Sequence, residues 1–269
     1  MNRASATTPW VTRPKPKPEA ALRLFCFPYA GGSTVIYRQW PDGLPPDVEV
    51  CAVQLPGRGA HLRTPPHTRM GPLVAELGRE LRPYFDRPFA LFGHSMGAVI
   101  AFELARLLRR AGGPAPSHLF VSGRRAPQTT APPKHTYLLP DDELIEEVRG
   151  LNGTPPEVLE HEELMRLMLP MLRADFALIQ TYEYVPEPPL DCPVTAFGGA
   201  HDEDVGREAI EAWREQTASS FAMQMFDDGH FFLNNLRPQL LQAVSRELHR
   251  QRFVRPSQAA LSHGQGGEG

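Results

Sequence analysis

The run Gly93-His94-Ser95-Met96-Gly97 sets a serine between two glycines, a spacing that suits nucleophilic acyl transfer. A serine hydroxyl attacks a carbonyl only when a base takes its proton and a carboxylate orients that base. N–H donors must also meet the charge that forms on the carbonyl oxygen. The flanks supply the setting. Phe89-Ala90-Leu91-Phe92 reads as a short buried strand, and Ala98 to Arg110 carries Val99, Phe102 and Leu107 at helical spacing. A strand, a sharp turn and a helix lift the hydroxyl onto a strained elbow whose glycines permit the turn and the close approach of backbone. The helix start aims free N–H groups and a positive dipole end at the reacting atom. Without those flanks the motif would be an ordinary glycine turn.

In hydrolases with such an elbow, the acid and then the base follow the serine in the chain. The chain has ten histidines, and His230 stands apart from the rest. It ends Asp227-Asp228-Gly229-His230, a turn between the apolar run Phe221–Phe226 and a C-terminal helical stretch. His94 adjoins the serine, but its side chain is expected to point away across the turn. For the acid, Val194–Phe197 runs into Gly198-Gly199-Ala200-His201-Asp202-Glu203-Asp204. Asp202, the first carboxylate after the glycines, is favoured over Glu203 and Asp204, which suit the first turn of a helix. One oxyanion donor is the N–H of Met96, which follows the nucleophile. The other is expected in Pro28-Tyr29-Ala30-Gly31-Gly32-Ser33, with Ala30 N–H as the candidate.

These residues need a frame. Apolar strand candidates at Leu22–Phe27, Val48–Gln54, Phe89–Phe92, His118–Ser122, Val194–Phe197 and Phe221–Phe226 alternate with helical patterns. The helices are expected at Gly71–Phe85, Ala98–Arg110 and Pro238–His249. That alternation implies an α/β fold, a mostly parallel sheet covered by helices on both faces. Residues 125–189 break the rhythm: they hold only helical patterns, at Asp141–Gly150 and Pro156–Tyr184, and several prolines. This insertion is expected to form a lid over the catalytic loops. Met168, Met171 and Phe176 are candidates to line an acyl site, or else simply to pack the lid helices together. Residues 1–19, with Pro14, Pro16 and Pro18 among charges, are expected to be a flexible arm. Residues 20–254 form the catalytic domain, and 255–269 a disordered tail.

Composition narrows the classes. With 269 residues, 41% of them hydrophobic, the chain can bury a full core. A net charge of −3 with no basic run speaks against nucleic-acid binding. Cys26, Cys51 and Cys192 lie in or beside apolar stretches and form no paired motif, so buried reduced thiols are expected, and no metal site. No stretch has the ~20 apolar residues of a membrane span, and no signal peptide is visible. A cytoplasmic monomer is expected.

Taken in order along residues 22–250, these motifs resemble the discrete type II thioesterases that accompany polyketide and nonribosomal peptide synthases. The resemblance rests on Phe27-Pro28-Tyr29-Ala30-Gly31-Gly32-Ser33, Gln54-Leu55-Pro56-Gly57-Arg58 and Gly93-His94-Ser95-Met96-Gly97-Ala98. It continues through Phe197-Gly198-Gly199 with Asp202 and Val205, and Gly229-His230-Phe231-Phe232-Leu233. It implies an α/β-hydrolase fold with a helical lid, a triad of Ser95, Asp202 and His230, and oxyanion donors at Ala30 and Met96. The implied reaction is hydrolysis of acyl thioesters on the phosphopantetheine arm of an acyl or peptidyl carrier protein, as editing or release. No cofactor beyond the substrate's own arm is implied. Tyr29 stands where the family often has histidine, His61 where arginine is frequent, and His201 with Glu203 replaces a commoner Asp-Asp-Pro-like run; these departures bear on substrate preference. An esterase or acyltransferase acting on free small molecules would use the same triad, and a non-catalytic carrier-binding protein would not need it.

Overall fold

A computed structural model describes residues 8–130, 132, 134–151, 153 and 160–254. Residues 1–7 of the expected arm, the expected tail at 255–269 and the expected helix start at Pro156 lie outside the described residues. The strands are β1 (Val11–Thr12), β2 (Leu22–Phe27), β3 (Val48–Val53), β4 (Phe89–His94), β5 (Leu119–Ser122), β6 (Val194–Gly199) and β7 (Phe221–Phe226). They form one sheet in the order β1-β3-β2-β4-β5-β6-β7. Only β1 runs antiparallel; every other pairing is parallel. In such a sheet the loops leaving the strand C-termini all emerge at one rim, where sites of this architecture are built.

Alternation along the strands divides the core in two. Phe25 and Phe27 of β2, Phe89 and Leu91 of β4, and Leu119 and Val121 of β5 face one cluster. Their neighbours Leu24, Cys26, Ala90, Phe92 and Phe120 face the other. Because both faces are covered, the central strands read as largely apolar runs, and the charges that interrupt them, Arg23 of β2 and Glu49 of β3, are buried and paired with each other. The first cluster is closed by α1 (Met70–Glu80) and α2 (Met96–Arg110). The insertion contributes α3 (Asp141–Gly150) and α4 (Glu162–Gln180); short helices α5 (Arg207–Glu211) and α6 (Phe232–Asn235) follow, and α7 (Arg237–Val254) covers the second face. The expected helix to Phe85 ends instead at Glu80, followed by a 3-10 turn over Arg82–Tyr84. Pro83 causes the break: it lacks an N–H and disfavours helical backbone in the residue before it.

One expectation changes. Residues 8–19 are not a loose arm: Trp10 is buried, Val11 pairs with Val53, and Lys17 N–H donates to Glu49 Oε1 at 2.9 Å. The anchoring pair, Trp10 and Val11, is too short a signal to register among prolines and charges. The helical part of the insertion is docked on the body. Residues Met165 to Phe176 of α4 pack with α3 in a cluster of their own, whereas Leu178 and Ile179 near its end belong to the main core. Among the described residues, no helix is long and apolar enough to cross a membrane.

Candidate active site

Strand β4 ends at His94 and α2 begins at Met96, so Ser95 alone makes the turn. It does so at φ 53° and ψ −114°, the one non-glycine residue with positive φ among those described. For a residue with a Cβ this conformation is strained, and such strain clusters at functional sites. The flanking glycines are required by space. A Cβ on Gly93 would lie 2.0 Å from the Gly97 carbonyl oxygen, and one on Gly97 would lie 2.1 Å from that of Phe27. Ser95 N–H donates to Ser122 O at 2.8 Å, which ties the elbow to β5.

The acid and the base meet. Asp202, in the loop after β6, turns Oδ2 to His230 Nδ1 at 2.6 Å, while its Oδ1 accepts the N–H groups of Asp204 and Val205 at 3.0 and 3.1 Å. The two loops are joined further by Ala200 N–H to Phe226 O at 2.7 Å and His201 N–H to Asp228 O at 3.0 Å. The Asp202 side chain is 2% exposed and that of His230 24%, so the carboxylate is enclosed and the ring keeps an open side. The rival carboxylates go elsewhere: Glu203 is exposed, and Asp204 pairs with Lys134 at 2.9 Å. His201 pairs with Asp227 on the surface.

Ser95 reaches this pair through its neighbour. The His94 ring is fully buried, 5.1 Å from the His230 ring between centroids, with Nδ1 at 2.9 Å from Ser122 Oγ. Burial foremost, and then the charge of a protonated His230, hold its pKa well below the ordinary histidine value. His94 is therefore a neutral wall behind the base, a contact its position in the motif did not announce. Ser95 Oγ makes no hydrogen bond within the described residues.

The donors expected to meet an oxyanion lie at a helix start and in a tight turn. Met96 opens α2, and the first N–H groups of a helix lack intrahelical partners. Ala30 occupies a turn closed by Gly32 N–H to Tyr29 O at 2.9 Å, with Gly31 at φ 78° in its second central position, the type II pattern that calls for glycine. In a trans peptide the C=O and N–H point oppositely. With the Tyr29 carbonyl turned into the turn, the Ala30 N–H points out of it. Of the expected acyl-site candidates, Met171 and Phe176 are buried against Leu144, Val148 and Leu169, and Met168 packs half-buried at their edge. They hold α4 on α3.

The comparisons with known proteins agree with this geometry. LgrE of Brevibacillus parabrevis, named a linear gramicidin dehydrogenase, is 46% identical over 242 residues, covering 89% of this chain and 92% of its own. RedJ, a thioesterase from the prodiginine pathway of Streptomyces coelicolor, is 44% identical, with a TM-score of 0.80 over 85% of this chain and 86% of its own. The type II thioesterase BorB from the borrelidin cluster is 39% identical, with a TM-score of 0.82 over 89% and 97%. The word dehydrogenase in the first name stands against the names of the two solved structures, and the serine elbow with its histidine–aspartate pair sides with them. Residues 22–251 match the thioesterase domain family, and the chain belongs to that family, as a serine thioesterase of α/β-hydrolase fold.

Proposed function

We propose that this enzyme hydrolyses acyl groups held as thioesters on the phosphopantetheine arm of acyl or peptidyl carrier proteins, clearing stalled chains or releasing intermediates in a secondary-metabolite pathway. The reading rests on Asp202 and His230 joined at 2.6 Å beside a strained Ser95 elbow, in a chain akin to thioesterases of such pathways. His230 takes the Ser95 proton as Oγ attacks the thioester carbon, with Ala30 and Met96 N–H groups receiving the oxyanion. The pantetheine thiol leaves with that proton. Water, activated by the same histidine, then splits the acyl-serine to the free acid. The Ser95–His230 hydrogen bond forms when substrate closes the site. The chain's own groups supply every step, and the pantetheine arrives with the substrate rather than as a bound cofactor.

In this reading the helical insertion acts as a lid, and Met168, half-buried at the edge of the α3–α4 cluster, keeps a face open for an acyl chain. The enzyme works as a monomer in the cytoplasm, a setting that suits three buried, unpaired cysteines. Hydrolysis of a panel of acyl groups loaded on carrier protein, followed by intact-protein mass spectrometry, tests the proposal with Ser95→Ala as control. Loss of acyl mass with wild type alone is expected. Survival of every acyl-carrier while small esters are cleaved would replace it with an esterase acting on free substrates.

A further inference from the structure

The turn that carries Ala30 is held from outside by a buried ion pair. Gly31 N–H donates to Asp175 Oδ2 at 2.8 Å, and Gly32 C=O accepts from Arg58 Nη1 at 2.9 Å. Arg58 and Asp175 grip each other in a fork, Nη1 to Oδ2 at 2.8 Å and Nη2 to Oδ1 at 2.6 Å, with side chains 5% and 4% exposed. Arg58 comes from the loop after β3 and Asp175 from α4 of the insertion. Three segments distant in sequence therefore meet on two consecutive glycines. The helix also touches the turn directly, because a Cβ on Gly31 would lie 2.7 Å from Leu172 Cδ2.

Stability alone is a poor reason for such a pair. Taking two charges out of water costs about what their attraction returns, and apolar replacements of similar size are often as stable. What an apolar pair cannot do is hold a peptide N–H and a peptide C=O in fixed directions. Here both are held, on the residues that immediately follow the Ala30 donor. Oxyanion stabilisation depends on that aim, because donors act fully only when fixed in advance at the charge that develops.

We infer that Arg58 and Asp175 are positioning residues for the oxyanion hole, clamping the Gly31–Gly32 turn so that Ala30 N–H is aimed, and making the docked insertion part of the catalytic rim. This rests on the reading of Ser95 as nucleophile and Ala30 as donor.

The test replaces both charges at once, Arg58→Met with Asp175→Leu, so that no unpaired buried charge is left to unfold the protein; thermal melting checks the fold. Arg58→Lys, which keeps the charge but loses the fork, is the milder companion. The double variant is expected to lose roughly 10–100-fold in kcat, as misplacement of a catalytic donor by about an ångström does, with KM nearly unchanged. Arg58→Lys should fall between it and wild type. The discriminating probes are an acyl trifluoromethyl ketone and the matching alcohol. Ser95 Oγ adds to the ketone carbon, its proton passes to His230, and the ketone oxygen becomes an oxyanion in the hole. The alcohol fills the same pocket without that charge. Ketone affinity should fall in step with kcat while alcohol affinity stays within about threefold. A folded double variant with wild-type kcat overturns the inference, and so does equal weakening of ketone and alcohol. Failure of the underlying reading shows in a different protein: turnover surviving in Ser95→Ala would overturn both.

Discussion

Asp202 offers one oxygen to His230 and keeps the other for backbone. Oδ2 lies 2.6 Å from Nδ1, while Oδ1 accepts from Asp204 and Val205 N–H. The division fixes the tautomer of the base. In Asp202→Asn the side-chain oxygen would stay with the two N–H groups, which only an acceptor can serve, and the amide NH2 would face His230. Nδ1 would then have to accept, the ring proton would move to Nε2, and the nitrogen meant to take the Ser95 proton would already carry one. A kcat loss on the order of 10⁴-fold is expected, the scale known for this change in serine proteases. Asp204→Asn, on the surface with Lys134, should stay within about twofold of wild type. Steady-state hydrolysis of both variants decides which carboxylate serves the triad.

The elbow tolerates no added methyl group. In Gly97→Ala the new carbon meets the Phe27 carbonyl oxygen at 2.1 Å, and a backbone atom in the central sheet has no rotamer through which to escape. A loss of roughly 3 kcal/mol or more is expected, at or beyond the usual range for overpacking, together with loss of activity. Gly71, near the start of α1, meets nothing within 4 Å. Gly71→Ala should therefore stabilise the protein by about 0.5–1 kcal/mol, the ordinary helix preference for alanine. Urea unfolding of the two variants should move in opposite directions.

What could be read in advance follows from where the information sits. The central strands are visible because burial on both faces leaves them mostly apolar, as in Leu91 and Phe92 of β4. Ser95, Asp202 and His230 are each legible from a strand and a turn beside them, with their order in the chain to separate their roles. The pairing of Arg58, a residue of the quoted Pro56-Gly57-Arg58 motif, with Asp175 is not, because 117 positions separate them and an aspartate in a methionine-rich helix looks like any surface acid. Strand β1 escaped for a related reason: two residues cannot show alternation, and what fixes Val11 is its partner Val53. The place of His94 against His230 depends on the same long-range folding.

Two buried histidines make stability sensitive to acid. Burial pushes the pKa of His118 down to about 3, and burial with the nearby His230 lowers that of His94 well below its usual value. An unfolded histidine titrates near about 6.5, so below that pH the unfolded chain binds protons that the folded chain refuses. Stability is therefore complete above about pH 6.5 and falls as pH drops, by about 1.4 kcal/mol per pH unit for each such histidine. Urea unfolding at pH 7 and pH 5 should show this slope. His118→Gln should remove about half of it; a slope that does not change would sink the assignment to His118.

The chain leaves the insertion along a strap bound to the elbow helix, and Arg106 is its fastening. This side chain, 3% exposed on α2, reaches Glu103 on its own helix and Glu187 at 2.8 Å on the strap. Its guanidinium also donates to the Val185 carbonyl and lies 5.3 Å from the centroid of the Tyr184 ring. Arg109 and Arg110 bind the same Glu187 from more exposed positions. Removing Arg106 leaves two partly enclosed carboxylates short of a partner and an aromatic face uncovered. Arg106→Met should cost about 3 kcal/mol, at the low end for a broken buried pair because both glutamates retain some solvent. Arg110→Ala, whose side chain is 45% exposed, should cost about 0.5 kcal/mol or less. The strap is where the loss must appear first: hydrogen exchange in residues 182–189 should quicken in Arg106→Met before the strands of the central sheet respond. Uniform acceleration across the sheet would mean that Arg106 supports the whole domain rather than the hold of the insertion upon it.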